Sequence, residues 1–428
     1  MISATKRLTI DIFNDHESEV RGYIRSFPTI FDKAIGSELF DESGTRYIDF
    51  FAGAGTLNYG HNPDVAVEAQ IQYLKDRRIA HGLDKATVAK QEFMESFVEK
   101  ILKPRNLIYK MQFTGPTGTN CTEAAMKLAR QAKQRPGIIA FTNAYHGHTM
   151  GALAATGNES YRDDSYGSRG AISFMPFDGF LGKDIDSLHV FRRYLEDKGS
   201  GMELPAAVII ETVQGEGGIN VASTEFLQGL SKLCKEFDIL LIVDDIQVGN
   251  GRTGKFFSFE DAGIKPDMVC LSKSIGGGNP MAVLLIEPEA DVWAPGEHTG
   301  TFRGNSLAFV AAKHLIDQFW SDDKLTEEVG RKSEIMRAAL EELRDEFPEL
   351  NCSVRGRGLV LGIETKLPGF ADEVSAKAFE KKLICETCGV ESTVNKLFVA
   401  LNIEDEILHE GLAIFKETFR EVAKAMSK

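Results

Sequence analysis

Residues 223–245 read STEFLQGLSKLCKEFDILLIVDD, and a change of pattern inside this stretch decides the fold. From Thr224 to Phe237 the residues Phe226, Leu227, Leu230, Leu233, Cys234 and Phe237 fall on one stripe at helical spacing, with Ser223 or Thr224 placed to cap the first turn. At Ile239 the stripe gives way to an unbroken apolar run, Ile239 to Val243, which ends on Asp244-Asp245. A strand without polar alternation is covered on both faces, the condition of a parallel sheet layered by helices. Similar runs stand at Gly137–Phe141, Ala206–Ile210, Met268–Leu271 and Ala282–Ile286. All five are expected as parallel strands, and Thr224–Phe237 as the helix of a β-α-β unit.

Outward from this centre the pattern changes. Ser37–Phe40 and Thr45–Phe50 read as two strands around the turn signal Asp41-Glu42-Ser43-Gly44, a hairpin. Beyond about residue 310 helical patterns at Ala311–Phe319 and Leu325–Phe347 precede strand-like runs at Gly358–Glu364 and Lys396–Leu401. The expected division is an N-terminal segment 1–60 and a C-terminal part 311–428 that together build a smaller α+β domain, beside a large domain 61–310 with a mostly parallel central sheet.

The whole chain has 428 residues, 43% apolar and 26% charged, which fits a globular protein and excludes disorder and long coiled coil. Its 49 basic and 63 acidic residues leave a net charge of -14, and no Lys/Arg cluster marks a nucleic-acid footprint. No run approaches the roughly 18 to 20 apolar residues of a membrane span. Lys6 and Arg7 are followed by Leu8, Thr9, Ile10 and then Asp11, too short an apolar stretch for a secretory signal. The six cysteines are mostly scattered through apolar surroundings, as in a reducing compartment, so a cytoplasmic protein is expected. Only Cys385-Glu386-Thr387-Cys388 has redox or zinc spacing, without a second such pair or two histidines, and no metal site is expected.

The chemistry lies at the strand ends. One run delivers Glu211, the next Asp244-Asp245, the next Ser272-Lys273, and carboxyl ends of parallel strands form the ligand crevice of an open sheet. Thr114-Gly115-Pro116-Thr117-Gly118-Thr119-Asn120 leads into a helical pattern, Cys121–Lys133; it suits either a phosphate at the helix start or a plain turn and cap. Gly249 to Lys255 nearly matches a nucleotide P-loop, but Phe256 stands where Ser or Thr must reach magnesium, which excludes that reading. A lysine, strand-end acids, an anion cradle and an aromatic residue together are the parts that pyridoxal 5'-phosphate requires.

In order along the chain, Gly60-His61-Asn62-Pro63, Thr117-Gly118-Thr119, Tyr145-His146-Gly147, Glu211–Gly218 (ETVQGEGG), Asp244-Asp245-Ile246-Gln247, Gly251-Arg252-Thr253-Gly254, Lys273 and Thr301-Phe302-Arg303-Gly304-Asn305 resemble the motifs of the class III (ornithine-type) aminotransferases, pyridoxal-phosphate enzymes of fold type I. The resemblance implies that Lys273 forms the Schiff base with the cofactor and shuttles the substrate's proton. It implies that Asp244 faces the pyridine nitrogen and that Gln247 bonds the ring hydroxyl. Tyr145 and Ile246 then cover the two ring faces, His146 and Glu211 belong to the cofactor site, and Gly118 and Thr119 hold the phosphate. Thr301 reaches that phosphate from a second subunit, so a homodimer with shared sites is implied. Glu216 is expected to pair with a cation at Lys396, where many relatives have Arg, as a gate for substrate side chains; the alternative is two ordinary surface charges. His148 stands where some relatives carry a carboxylate-binding Arg.

Within the family, RGYIRSFP (21–28), YIDFFAGAGTLNYGHN (47–62), FTGPTGTN (113–120), ETVQGEGGINVAS (211–223), VDDIQVG (243–249) and GTFRGN (300–305) are similar to the diaminobutyrate–2-oxoglutarate branch of ectoine synthesis. Arg303 is then either a substrate-carboxylate binder or one half of a structural salt bridge. The implied reaction moves the amino group of L-glutamate to L-aspartate 4-semialdehyde. Alternatives within reach of the same cofactor site are another ω-aminotransferase, of ornithine, acetylornithine or 4-aminobutyrate type, and an aminomutase or decarboxylase.

Overall fold

The computed structural model describes residues 9–166, 170–182 and 184–426, so Lys6, Arg7 and Leu8 of the leader reading lie outside the described residues. Near the start, β1 (Phe31–Ile35), β2 (Glu38–Asp41) and β3 (Arg46–Asp49) form an antiparallel meander. The expected hairpin turn joins β2 to β3, and its first residue holds it shut. Asp41 Oδ1 accepts from the backbone N–H of Ser43 (3.0 Å) and of Thr45 (2.9 Å) and from the Ser43 hydroxyl (2.6 Å). Burial favours the neutral acid, but these donors outweigh it and bring the Asp41 carboxyl down to about 2.

The central sheet takes its strands from the middle of the chain: β4 (Lys110–Phe113), β5 (Ile138–Phe141), β6 (Ile172–Met175), β7 (Ala207–Ile210), then, after a separate short hairpin of β8 (Val213–Gln214) and β9 (Asn220–Val221), β10 (Leu240–Asp244), β11 (Met268–Leu271) and β12 (Val283–Ile286). The order across the seven strands is β4-β12-β11-β10-β7-β5-β6. Between β7 and β10 runs the helix Thr224–Glu236, capped by Ser223, whose hydroxyl accepts from Phe226 N–H (3.1 Å). It buries Phe226, Leu227, Leu230, Leu233 and Cys234, each large side chain contributing about 1.5–3 kcal/mol. Parallel pairing follows, with Leu240 beside Ala207 and Val243 beside Ile210.

One expectation is corrected. The run Ala282–Ile286 forms β12, but β12 is antiparallel to both β11 and β4. A parallel return needs a crossover of about a dozen residues or more, usually helical. The link from Leu271 to Val283 holds only the tight turn Lys273–Gly276, so the chain can only come back alongside. The sheet is therefore mixed, and its strands β4 and β6 lie outside the runs expected from the sequence.

The C-terminal part adds β13 (Ser353–Arg357), β14 (Val360–Glu364), β15 (Leu383–Ile384), β16 (Glu386–Cys388) and β17 (Val394–Phe398). Four of them form an antiparallel sheet in the order β13-β14-β17-β16, while β15 joins the N-terminal meander, parallel to β3, so that distant parts of the chain share one sheet. The expected strand Lys396–Leu401 starts earlier and ends at Phe398. After it the backbone turns to other partners: Phe398 N–H donates to Phe50 and Leu401 N–H to Asn58. The helix expected over Cys121–Lys133 begins at Gly118. The helical readings after residue 310 appear as Ser306–Phe319 and Lys324–Glu346. No described helix is long and apolar enough to cross a membrane.

Candidate active site

Glu211 follows β7, Asp244 closes β10 and Lys273 stands two residues beyond β11, and these neighbouring strand ends open into a common cavity of about 270 Å³. Gly118, Thr119, Tyr145, His146, Ile246, Gln247, Glu216 and His148 line the same space. The central sheet thus brings together most of the side chains singled out in the sequence.

Lys273 opens the tight turn after β11 with a left-handed backbone, φ +52°. A residue with a Cβ pays about 1–2 kcal/mol for that conformation. The turn is held from both sides. Ser272 donates its hydroxyl to the Met281 carbonyl (2.8 Å), and Lys273 Nζ donates to the Ala54 carbonyl (2.8 Å). Burial lowers the affinity of the Lys273 amine for its proton, with Glu216 opposing the shift, so a neutral, nucleophilic amine is more accessible than on an exposed lysine.

Asp244 is buried, and its Oδ2 accepts from His146 Nδ1 (2.7 Å) while Oδ1 accepts from the N–H of Ile246 (3.2 Å). A carboxylate cannot donate, so His146 donates through Nδ1. Glu211 takes the N–H of Tyr145 on Oε2 (3.0 Å); burial, and then the nearby Asp244, push its carboxyl well up, which avoids a second anion beside Asp244. The Tyr145 phenol is pushed up to about 12 by burial and next by Glu216. Its ring meets His148 edge-on (centroids 5.5 Å) and Tyr161 (5.7 Å), and His148 meets Tyr161 at 5.0 Å, an aromatic wall at the cavity.

At the cavity floor the helix Gly118–Lys133 begins, capped by Thr117. Its first-turn N–H groups have no acceptor within the helix. Gly118 lets Ile246 pack close to the helix start, where a Cβ would lie 3.0 Å from Ile246 Cδ1. Pyridoxal phosphate fits these residues on two further observations. Gln247 Oε1 and His146 Nε2 are buried in the cavity wall without a hydrogen-bond partner in the protein, and the donor set runs in a fitting order, from helix N–H groups through an aromatic ring and an acid to a lysine.

Glu216, Lys396 and Glu386 converge beside this cavity. Lys396 is 0% exposed, and its Nζ lies 2.7 Å from Glu216 Oε1 and 2.9 Å from Glu386 Oε1. Gln247 also donates to Glu216 Oε1 (2.9 Å), and Tyr23 donates its hydroxyl to Glu386 Oε2 (3.3 Å). Burial would raise the Glu216 carboxyl, but Lys396 and Lys273 bring it down to about 2. Glu216 and Lys396 are therefore not surface charges. Sequence reasoning missed Glu386, which stands inside the Cys385–Cys388 stretch, and also Tyr161.

Lys396 stands behind the cavity lining, in contact with Glu216, and two further residues lie away from the cavity in their own chain. Thr301 is exposed, its carbonyl bonded to His81 Nε2 (2.7 Å). Arg303 lines a different cavity with Leu83, Asp84 and His298; it pairs with Asp84 and donates to the His298 carbonyl (3.0 Å). The near P-loop serves packing. Gly251 (φ +92°) would press a Cβ to 2.7 Å from the Trp320 ring, and the buried Arg252 donates to the Leu359 carbonyl (3.0 Å) and Asn58 Oδ1 (2.6 Å).

Comparison with known proteins agrees with this geometry. Residues 22–419 match the family model described as aminotransferase class-III. Diaminobutyrate–2-oxoglutarate transaminase of Wolinella succinogenes is 58% identical over 413 residues, 96% of each chain, and the protein of that name from Bordetella parapertussis is 53% identical over 423 residues, 98% of this chain and 97% of that one. Among solved structures, ornithine aminotransferase from Toxoplasma gondii shares the fold with a TM-score of 0.83 at 23% identity, covering 97% of this chain and 95% of the other. The match from residue 22 to 419, and relatives above half identity along almost the full length, place this chain in the class III aminotransferase family.

Proposed function

We propose that the protein is a diaminobutyrate–2-oxoglutarate transaminase that moves the amino group of L-glutamate to L-aspartate 4-semialdehyde, giving L-2,4-diaminobutyrate and 2-oxoglutarate. The observation that carries this reading is the 58% identity to a transaminase of that name along 96% of both chains, joined to a cavity that holds Lys273, Asp244 and Glu216 together. Pyridoxal phosphate, when bound, supplies the electron sink for the pair of electrons left when the amine-bearing carbon loses its proton.

The chain does the rest. The helix start at Gly118 and Thr119 would hold the cofactor's phosphate, Tyr145 and Ile246 would cover the two faces of its ring, and Gln247 would bond the ring hydroxyl. Asp244, held by His146, would face the ring nitrogen and hold its proton in place. Lys273 takes the proton from the amine-bearing carbon of glutamate and returns it when the semialdehyde is aminated. Glu216 and Lys396 meet the far end of the substrate, an anion in glutamate and an ammonium with a carboxylate in diaminobutyrate. Thr301 serves the phosphate site of a second copy, in a homodimer, while Arg303, paired with Asp84, takes the salt-bridge alternative. The ectoine pathway and the cytoplasm are its setting in this reading.

The transaminase names of the relatives favour amino transfer over the aminomutase or decarboxylase alternative. The test loads the protein with pyridoxal phosphate, treats it with L-glutamate, desalts it, and then offers aspartate 4-semialdehyde, glutamate 5-semialdehyde or succinate semialdehyde. Stoichiometric 2-oxoglutarate in the first step, and an amine product mainly from the first acceptor, are expected. A preference for another acceptor would keep the transaminase and discard the diaminobutyrate reading.

A further inference from the structure

Glu386 is a buried acid beside the cavity that the steps above leave unused. Its place is set by strand register: β16 and β17 are antiparallel and Glu386 stands directly opposite Lys396, so the sheet itself aims the carboxylate at the ammonium. Glu216 reaches the same ammonium differently, from the loop after β8, between Gly215 and Gly217. That loop is tied at the Glu216 carbonyl, which accepts from Gly389 N–H (3.0 Å), while the side-chain carboxylate accepts from Lys396 Nζ (2.7 Å) and Gln247 Nε2 (2.9 Å). Lys396 thus has one partner fixed by the sheet and one carried on a side chain that lines the cavity.

The two substrates ask opposite things of this place. The far end of glutamate is a carboxylate alone. When the terminal amine of diaminobutyrate reacts, its far end presents an ammonium as well as a carboxylate. A single lysine–glutamate pair has no formal charge to spare, and a glutamate that leaves it strands a buried cation at high cost. Three groups, two carboxylates and one ammonium, remove that penalty.

We propose that Glu386 is a specificity-determining positioning residue, which holds Lys396 on the sheet so that Glu216 can turn its carboxylate to the ammonium end of the diamino substrate. This inference rests on the proposed diaminobutyrate reading. In Glu386→Gln, Lys396 keeps Glu216 as its one carboxyl partner, and the trio loses the carboxyl that lies 2.9 Å from the ammonium across the sheet. Cation recognition weakens and anion recognition does not.

The test compares the holoenzyme with Glu386→Gln and Glu386→Asp in each half-reaction separately. The ratio of KM for diaminobutyrate to KM for glutamate is expected to rise about tenfold to a hundredfold in Glu386→Gln, the scale of one charged hydrogen bond, and less in Glu386→Asp. Glutarate, a dicarboxylate without a reacting amine, is expected to bind Glu386→Gln at least as tightly as wild type in a calorimetric titration. An unchanged KM ratio, or equal losses for both substrates and for glutarate, would overturn the role. Should Glu386→Gln fail to fold, the ratio in Glu386→Asp decides in the same way. Failure of the wild type to use diaminobutyrate at all would strike the functional reading instead; glutarate affinity lower in Glu386→Gln would then overturn the role of Glu386 by itself.

Discussion

The central sheet and the C-terminal sheet bring charge to the same cavity by opposite routes. In the central sheet, Glu211, Asp244 and Lys273 stand at or past the ends of wholly apolar strands, so the layers beneath them pack without polar interruption. In the C-terminal sheet, Lys396 lies in the middle of β17 and Glu386 begins β16, both buried within the strands themselves. A charge beyond a strand end interrupts no apolar layer and is free to serve chemistry. A charge within a strand must be answered by a neighbour in register, and chemistry built on it is tied to stability.

That contrast can be broken in three places. The largest effect is expected from Lys273→Ala, which removes the amine and the proton carrier: transamination falls by at least about 10³-fold, while the midpoint of chemical unfolding stays near that of wild type. Borohydride treatment of loaded wild-type protein, followed by peptide mass mapping, is expected to fix the cofactor to Lys273; attachment to any other lysine would contradict the assignment. Lys396→Met is next and acts on stability. It leaves Glu216 and Glu386 buried without their cation, a loss of about 3–5 kcal/mol in denaturant unfolding. An unaltered midpoint would show that the trio is not held as the structure has it.

The smallest effect sharpens the comparison away from the cavity, at the β2–β3 turn. Asp41 has a folded-state value near 2, below its ordinary one, so its charge contributes stability that is complete above the ordinary carboxylate range and lost as the pH falls toward 2. Asp41→Asn is expected to cost about 1 kcal/mol at pH 7, a modest figure because the turn lies close to solvent, and the gap from wild type closes in acid. A pH-independent gap would assign the effect to the altered side-chain acceptor rather than to charge.

The same contrast explains what could be read in the sequence. β5, β7, β10 and β11 are unbroken apolar runs, and the acids and lysine that end them were visible together with the helix start at Gly118. Direction was not visible: β12 has the same composition as a parallel strand, and only the short link through Lys273–Gly276 reverses it. Nor were the edge strands β4 and β6, whose sequences KMQF and ISFM mix polar and apolar residues. Glu386 was hidden for another reason. Its importance arises from a partner ten residues on, across a register that no local pattern records, and only the flanking Cys385 and Cys388 stood out in that stretch. Both thiols are buried and pushed up to about 12 by that burial.

The left-handed backbone at Lys273 has an evolutionary consequence. Glycine adopts that conformation without the penalty a side chain brings, so Lys273→Gly would relieve the turn where Lys273→Ala would not. At this position catalysis and a relaxed backbone pull in opposite directions. A lineage released from the need for catalysis, and screened only for persistence in the cell, would be drawn toward losing the amine, whereas every lineage that retains it carries that small structural burden as the signature of use.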